Sequence, residues 1–151
     1  MRILVDGDAT PDREGIKEIA MRYGVEMIVF CDYAHLIEDD YFTTIQCEVG
    51  KDKVDMMLYG YANADDIAIT QDYGLAALLL SKHVDVLHVS GKRITDHNIE
   101  RLLDSRYLGY QERKRHRHVH GPHKRTNKER YNLLEQVERL IIEHKFPMSK
   151  T

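Results

Sequence analysis

Apolar positions along the chain switch between short unbroken runs and helical spacing, and the switches mark out its elements. Residues 3–5 form a brief apolar run that predicts a first strand. Pro11 suits a helix start, Ile16, Ile19, Ala20 and Tyr23 follow at helical spacing, and Gly24 closes that helix. Residues 25–31 are a run broken only by Glu26 and predict a second strand, while 43–49 alternates and predicts a third, at a sheet edge. Val54, Met57, Leu58 and Tyr61 predict a helix, 67–70 a short buried strand, 75–82 an apolar helix and 84–89 another strand. Residues 94–103 read as helical. Residues 127–144 predict the longest helix. Its stripe of Leu133, Val137, Leu140, Ile141 and His144 is expected to dock on the body, with a homodimer contact as the alternative.

Strands that alternate with helices, and read as runs, predict a three-layer αβα domain with a mostly parallel sheet covered on both faces. At this length one domain is expected, with an α/β body over 1–110, a basic loop over 111–126 and the C-terminal helix within 127–151. Open sheets of this kind bind ligands beyond the carboxyl ends of their strands. Acidic residues cluster there. Asp6 and Asp8 follow the first run and, two apart in an extended segment, point to one side. Asp72 follows the run at 67–70, which ends on Thr70, and Asp55 lies near the start of the helix around Val54.

Four carboxylates from separate crossovers carry an electrostatic cost. Two of them ~5 Å apart repel by on the order of 3 kcal/mol at an effective dielectric near 20. A divalent cation relieves this, and oxygen donors without nearby Cys or His favour Mg²⁺ or Mn²⁺ over zinc. Carboxylate-held cations activate water for attack on a phosphodiester. The plainer reading makes Asp6, Asp8 and Asp72 caps of the helices that follow and Asp55 a solvated helix residue. Asp65 and Asp66 precede a strand and are expected to be loop residues at the opposite sheet end.

Composition narrows the class. With 151 residues, 42% of them hydrophobic and 31% charged, the chain is neither disordered nor fibrous. No apolar run approaches the ~20 residues of a membrane span. The opening MRILVDGD turns acidic too soon for a signal sequence, so a cytoplasmic setting is expected, with Cys31 and Cys47 as reduced core residues. The net charge of −3 hides an asymmetry: residues 1–110 carry 11 Lys/Arg against 20 Asp/Glu, and residues 111–151 carry 11 against 5. A basic tract beside an acidic body points to a polyanionic partner. No GxGxxG or P-loop occurs, so no nucleotide cofactor is expected.

VDGDAT also fits the DxDxT pattern of haloacid-dehalogenase-type phosphatases, which would make Asp6 a nucleophile and Asp8 an acid/base, with Thr70 and Lys82 as later members. That family's acidic pair has no counterpart after 84–89, where VSGKRIT stands. Taken together, VDGDATP at 5–11, VDMML at 54–58, DIAITQDYGLAALLL at 66–80, SGKRIT at 90–95, NIERLL at 98–103 and HGP at 120–122 resemble the YaiI/YqxD family, bacterial proteins grouped with PIN-like domains. The resemblance covers almost the whole chain and implies a PIN-like αβα fold. By analogy with PIN nucleases it implies Mg²⁺ or Mn²⁺ at Asp6, Asp8, Asp55 and Asp72 and cleavage of single-stranded RNA. In such an enzyme Thr70, at the end of its strand, is expected to orient a carboxylate or the scissile phosphate. The chain departs from the family pattern at Thr10, where a Cys is usual, and at Gly74, where a Pro is usual.

In the basic segment, Arg113, Arg117, Lys124 and Arg130 are the expected holders of an RNA backbone, an attraction that weakens steeply with salt. Tyr107, Tyr110 and Tyr131 lie near enough in sequence to stack on bases. The alternatives are a non-catalytic RNA-binding module and the phosphatase.

Overall fold

The first apolar run folds as β1 (Arg2–Asp6), and Ile3, Leu4 and Val5 have no exposed surface. A strand buried on both faces needs cover on both, which is why it reads as a run. The structure is a computed structural model, and it describes residues 1–7, 9–32, 37–50, 52–105 and 126–147. After β1 come α1 (Arg13–Tyr23), β2 (Glu26–Asp32), β3 (Thr43–Cys47), α2 (Lys53–Tyr61), β4 (Ile67–Ile69), α3 (Tyr73–Ser81), β5 (Asp85–Leu87) and β6 (Arg93–Ile94). Helical residues 99–105 (α4) and α5 (Asn127–Lys145) complete the described elements.

The six strands form one sheet in the order β3-β2-β1-β4-β5-β6. The first five are parallel, and β6 pairs antiparallel with β5. Alternate residues then sort into two cores. Ile3, Val5, Ile67 and Ile69 pack with Ile16, Ile19 and Ala20 of α1 and with Leu133, Val137, Leu140 and Ile141 of α5. Leu4, Ile28, Phe30 and Ala68 pack on the other face with Val54 and Leu58 of α2 and Leu75, Ala76 and Leu79 of α3. Each such aliphatic side chain contributes about 1.5–3 kcal/mol on burial. The result is the three-layer αβα architecture expected of a PIN-like domain.

Local chemistry sets the helix ends. Gly24 ends α1 in the left-handed region at φ 65°, where a side chain is strained. Thr126 and Glu129 form a reciprocal capping box at the start of α5. Gly15 lets α5 approach α1: a Cβ there would lie 2.8 Å from Leu134 Cδ2.

One expectation needs correction. Ile94 belongs to β6, opposite Val86, and the helix expected over 94–103 begins at residue 99. A two-residue strand is too short to show a period. Asp66 is the expected loop residue at the opposite sheet end, and it is 3% exposed. It accepts from Arg2 Nη2 at 2.8 Å, from the Arg2 backbone N–H at 3.0 Å and from the Asn63 N–H at 2.9 Å, closing the amino end of the sheet. Cys31 and Cys47 are buried free thiols. No helix among the described residues is long and apolar enough to cross a membrane.

Topology singles out one place. From β1 the chain moves outward through β2 to β3, then α2 carries it back to β4 on the other side of β1. The carboxyl ends of β1 and β4 therefore flank a switch point, where the loops part and leave a crevice.

Candidate functional site

Asp6 ends β1 with the same parity as Leu4, and Thr70 follows β4 with the same parity as Ala68. Both side chains thus belong to the face covered by α2 and α3. Asp55 stands in the first turn of α2, and Asp72 is the N-cap of α3. Both helices start at the carboxyl edge because their preceding strands run parallel. Three carboxylates from three crossovers meet there.

The contacts are specific. Asp55 is hydrogen-bonded to Asp72, with the charges of Asp6 and Asp52 close enough to act on it. Burial first, then the bond to Asp72 and repulsion from Asp72, Asp6 and Asp52, push the Asp55 carboxyl up to about 7. Two carboxylates bond to each other only when one keeps its proton, and the raised pKa of Asp55 lets it keep that proton well above the usual carboxylate range. Thr70 Oγ1 donates to Asp6 Oδ2 at 3.4 Å and accepts from the Asp72 backbone N–H at 3.1 Å. Thr70 is wholly buried, so of the two roles expected for it, orienting a carboxylate fits and touching a phosphate does not. Asp72 Oδ1 also accepts from the Leu75 N–H at 3.1 Å, so the capping role of Asp72 is real and coexists with its place in the cluster.

Among the described residues the cluster presents carboxylate oxygens with no imidazole or thiol, a donor set that suits a hard dication. Mg²⁺ keeps several waters and takes one or two protein carboxylates, a role the Asp55–Asp72 pair would fit. A fuller protein cage is not assembled: among the described residues no three His, Cys, Asp or Glu side chains form a group able to hold a metal ion. Asp8, the fourth expected ligand, lies outside the described residues, as do Arg113, Arg117 and Lys124.

Arg130 is not at this cluster. It lies on α5, and its Nε is 3.3 Å from Oδ1 of Asp12, a buried carboxylate before α1. Its side chain is still 53% exposed, so part of the guanidinium faces solvent. Lys82 follows α3 at the end remote from Asp72. Its Nζ donates to the Tyr59 carbonyl at 2.7 Å and sits 4.2 Å from the centre of the Tyr59 ring. The phosphatase reading needs this lysine beside Asp6, and it is engaged elsewhere.

Sequence reasoning passed over a cavity of about 340 Å³ beside the carboxylate pair. α2 lines it with Asp52, Asp55, Met56 and Tyr59, and α3 with Asp72, Gly74, Leu75 and Leu78. The signal was available: positions 52, 55/56 and 59 recur at helical spacing and share a face. The Asp12–Arg130 pair left none, since its partners are far apart in the chain.

The profile of the "Uncharacterized BCR, YaiI/YqxD family" matches residues 4–143. A "UPF0178 protein" of Natranaerobius thermophilus is 38% identical over 146 residues, 96% of this chain and 99% of the relative. One from Clostridium kluyveri is 34% identical across 96% of this chain and 95% of its own length. Another, from Ruminiclostridium cellulolyticum, is 42% identical over 109 residues, 72% of this chain and 71% of the relative. No solved structure matches the chain. A profile match running from β1 to the last turn of α5, together with full-length relatives, shows that the chain belongs to the YaiI/YqxD family.

Proposed function

We propose that the protein is a metal-dependent nuclease acting on single-stranded RNA, with its centre at Asp6, Asp55 and Asp72 and with Asp8, two positions after Asp6 in the sequence, as a further ligand. The observation that carries this reading is the Asp55–Asp72 carboxylate pair, held from two helices at the β1/β4 switch point with Asp6 adding to the negative field. Like charges are gathered at a cost only where something of opposite sign repays it.

A bound Mg²⁺ or Mn²⁺ supplies the positive charge that activates water and stabilises the leaving oxygen of a phosphodiester. The chain's own residues do the rest. Asp55 and Asp72 present the donor oxygens. Asp6, 8% exposed at the floor, fixes the sign of the field and is oriented by Thr70. The basic stretch 111–130 holds eight Lys/Arg and is suited to a phosphate backbone.

The test is cleavage of a labelled single-stranded RNA with and without Mn²⁺. Asp72→Asn is the informative variant, because Asn caps a helix as well as Asp does. Its α3 should stay intact while its cleavage falls by at least a hundredfold. Cleavage at the wild-type rate in Asp72→Asn and Asp6→Asn would remove the assignment. Salt-sensitive RNA binding without any metal-dependent product would point to a binding module instead.

A further inference from the structure

We infer that the cavity between α2 and α3 is a nucleobase pocket, which seats the unpaired base next to the phosphate at the carboxylate pair and favours bases carrying an exocyclic amino group. This rests on the nuclease reading for its substrate but makes a separate claim about recognition.

The cavity shares Asp55 and Asp72 with the proposed centre, so whatever fills it lies against the reacting position. Its size, about 340 Å³, is at the lower end of small-ligand pockets. Its character changes along its length. At the carboxyl edge it is acidic. Tyr59, one turn further along α2 from Asp55 and about 6 Å away along the axis, brings an aromatic ring to it.

The apolar walls are Met56 and Leu78, which are 66% and 53% exposed. Two large, exposed apolar side chains that line one cavity from two helices offer apolar contact to a ligand seated there. The Lys82 ammonium over the Tyr59 ring and its bond to the Tyr59 carbonyl fix that ring in place. A preorganised aromatic and two apolar walls are what base stacking uses.

Charge selects among bases. Asp52 stands at the rim and makes no side-chain cap to its own helix. Carboxyl oxygens accept hydrogen bonds, so Asp52 lining the cavity matches the N4 amino group of cytosine and has no such match with the O4 carbonyl that uracil has in its place. The same acidic rim disfavours a second phosphate inside the cavity, so the backbone must pass outside and the base point in.

The experiment compares cytidine, uridine and abasic pentamers with the full chain in Mn²⁺, reading cleavage by gel and binding by fluorescence anisotropy. The cytidine pentamer is expected to bind about tenfold tighter than the uridine pentamer, the scale of one good base-edge contact. Leu78→Arg, a change at an exposed position checked for folding by circular dichroism, should abolish the difference between cytidine and abasic strands, and Met56→Arg should do the same from the other wall. Cleavage of all three pentamers alike overturns the pocket and leaves the nuclease standing. Selective binding without cleavage overturns the nuclease and leaves the pocket. If no pentamer is bound or cut, both fall.

Discussion

The Thr70 hydroxyl donates to Asp6 Oδ2 at 3.4 Å while accepting from the Asp72 backbone N–H at 3.1 Å. One wholly buried side chain therefore ties the end of β1 to the turn that launches α3. Thr70→Val keeps the shape and removes both bonds. Partners that orient metal-binding groups typically control affinity by about 10–100-fold, so Thr70→Val should weaken Mn²⁺ binding by that factor in a calorimetric titration. Thr70→Ser, which keeps the hydroxyl, should restore it; a purely packing role would give the opposite ranking.

Asp55 links stability to pH. Its carboxyl ionises near 3.8 in a free chain and at about 7 in the fold. Between those values the unfolded chain gives up a proton that the folded chain keeps, so stability falls as pH rises from about 4 to 7 and stays reduced above. Asp55→Asn removes the penalty. In thermal melts without metal, the variant should melt above the wild type at pH 8, and the gap should close at pH 4. Mn²⁺ should raise the wild-type melting temperature at pH 8 and leave Asp55→Asn nearly unmoved.

Asp66 anchors the opposite end of the sheet. Removing this buried carboxylate leaves the Arg2 and Asn63 N–H groups without their acceptor and the Arg2 guanidinium with the Tyr61 carbonyl. Leaving buried donors unsatisfied costs about 1–3 kcal/mol. Asp66→Ala should lose that much in urea denaturation. Its effect on Mn²⁺ affinity should be small, because it lies at the far end of the strands.

Thr10 is a contrary case. It is 1% exposed, and its hydroxyl finds no partner among the described residues. Leaving a buried polar group unsatisfied costs about 1–3 kcal/mol. Thr10→Val, close in shape, should hold or raise the urea midpoint, and a clear loss would show that the hydroxyl is used.

Much of this was legible in the sequence. The parallel strands announced themselves as runs because both their faces are covered, and Asp6 and Asp72 stood out because they follow such runs. Asp55 was legible once its helix was placed. What escaped notice depends on distant pairing. Arg2 and Asp66 are 64 positions apart, and nothing local marks Asp66 as buried. The Arg130–Asp12 pair, and β6 with its single turn of ladder, are likewise products of the finished fold. The cavity between α2 and α3 was readable from one helix only; its second wall, Leu78, is an ordinary apolar position until α3 is laid beside α2.

The docking of α5 has a consequence for how the molecule is made. One side of the sheet is covered by α1 together with Leu133, Val137, Leu140 and Ile141 of α5, which follow every described strand. During synthesis that side keeps only the cover of α1 until α5 emerges, leaving part of the surface of Ile3, Val5, Ile67 and Ile69 open to any sticky neighbour. Cooperative folding must wait for the last helix, and a ribosome stalled before it would release an aggregation-prone half-sandwich.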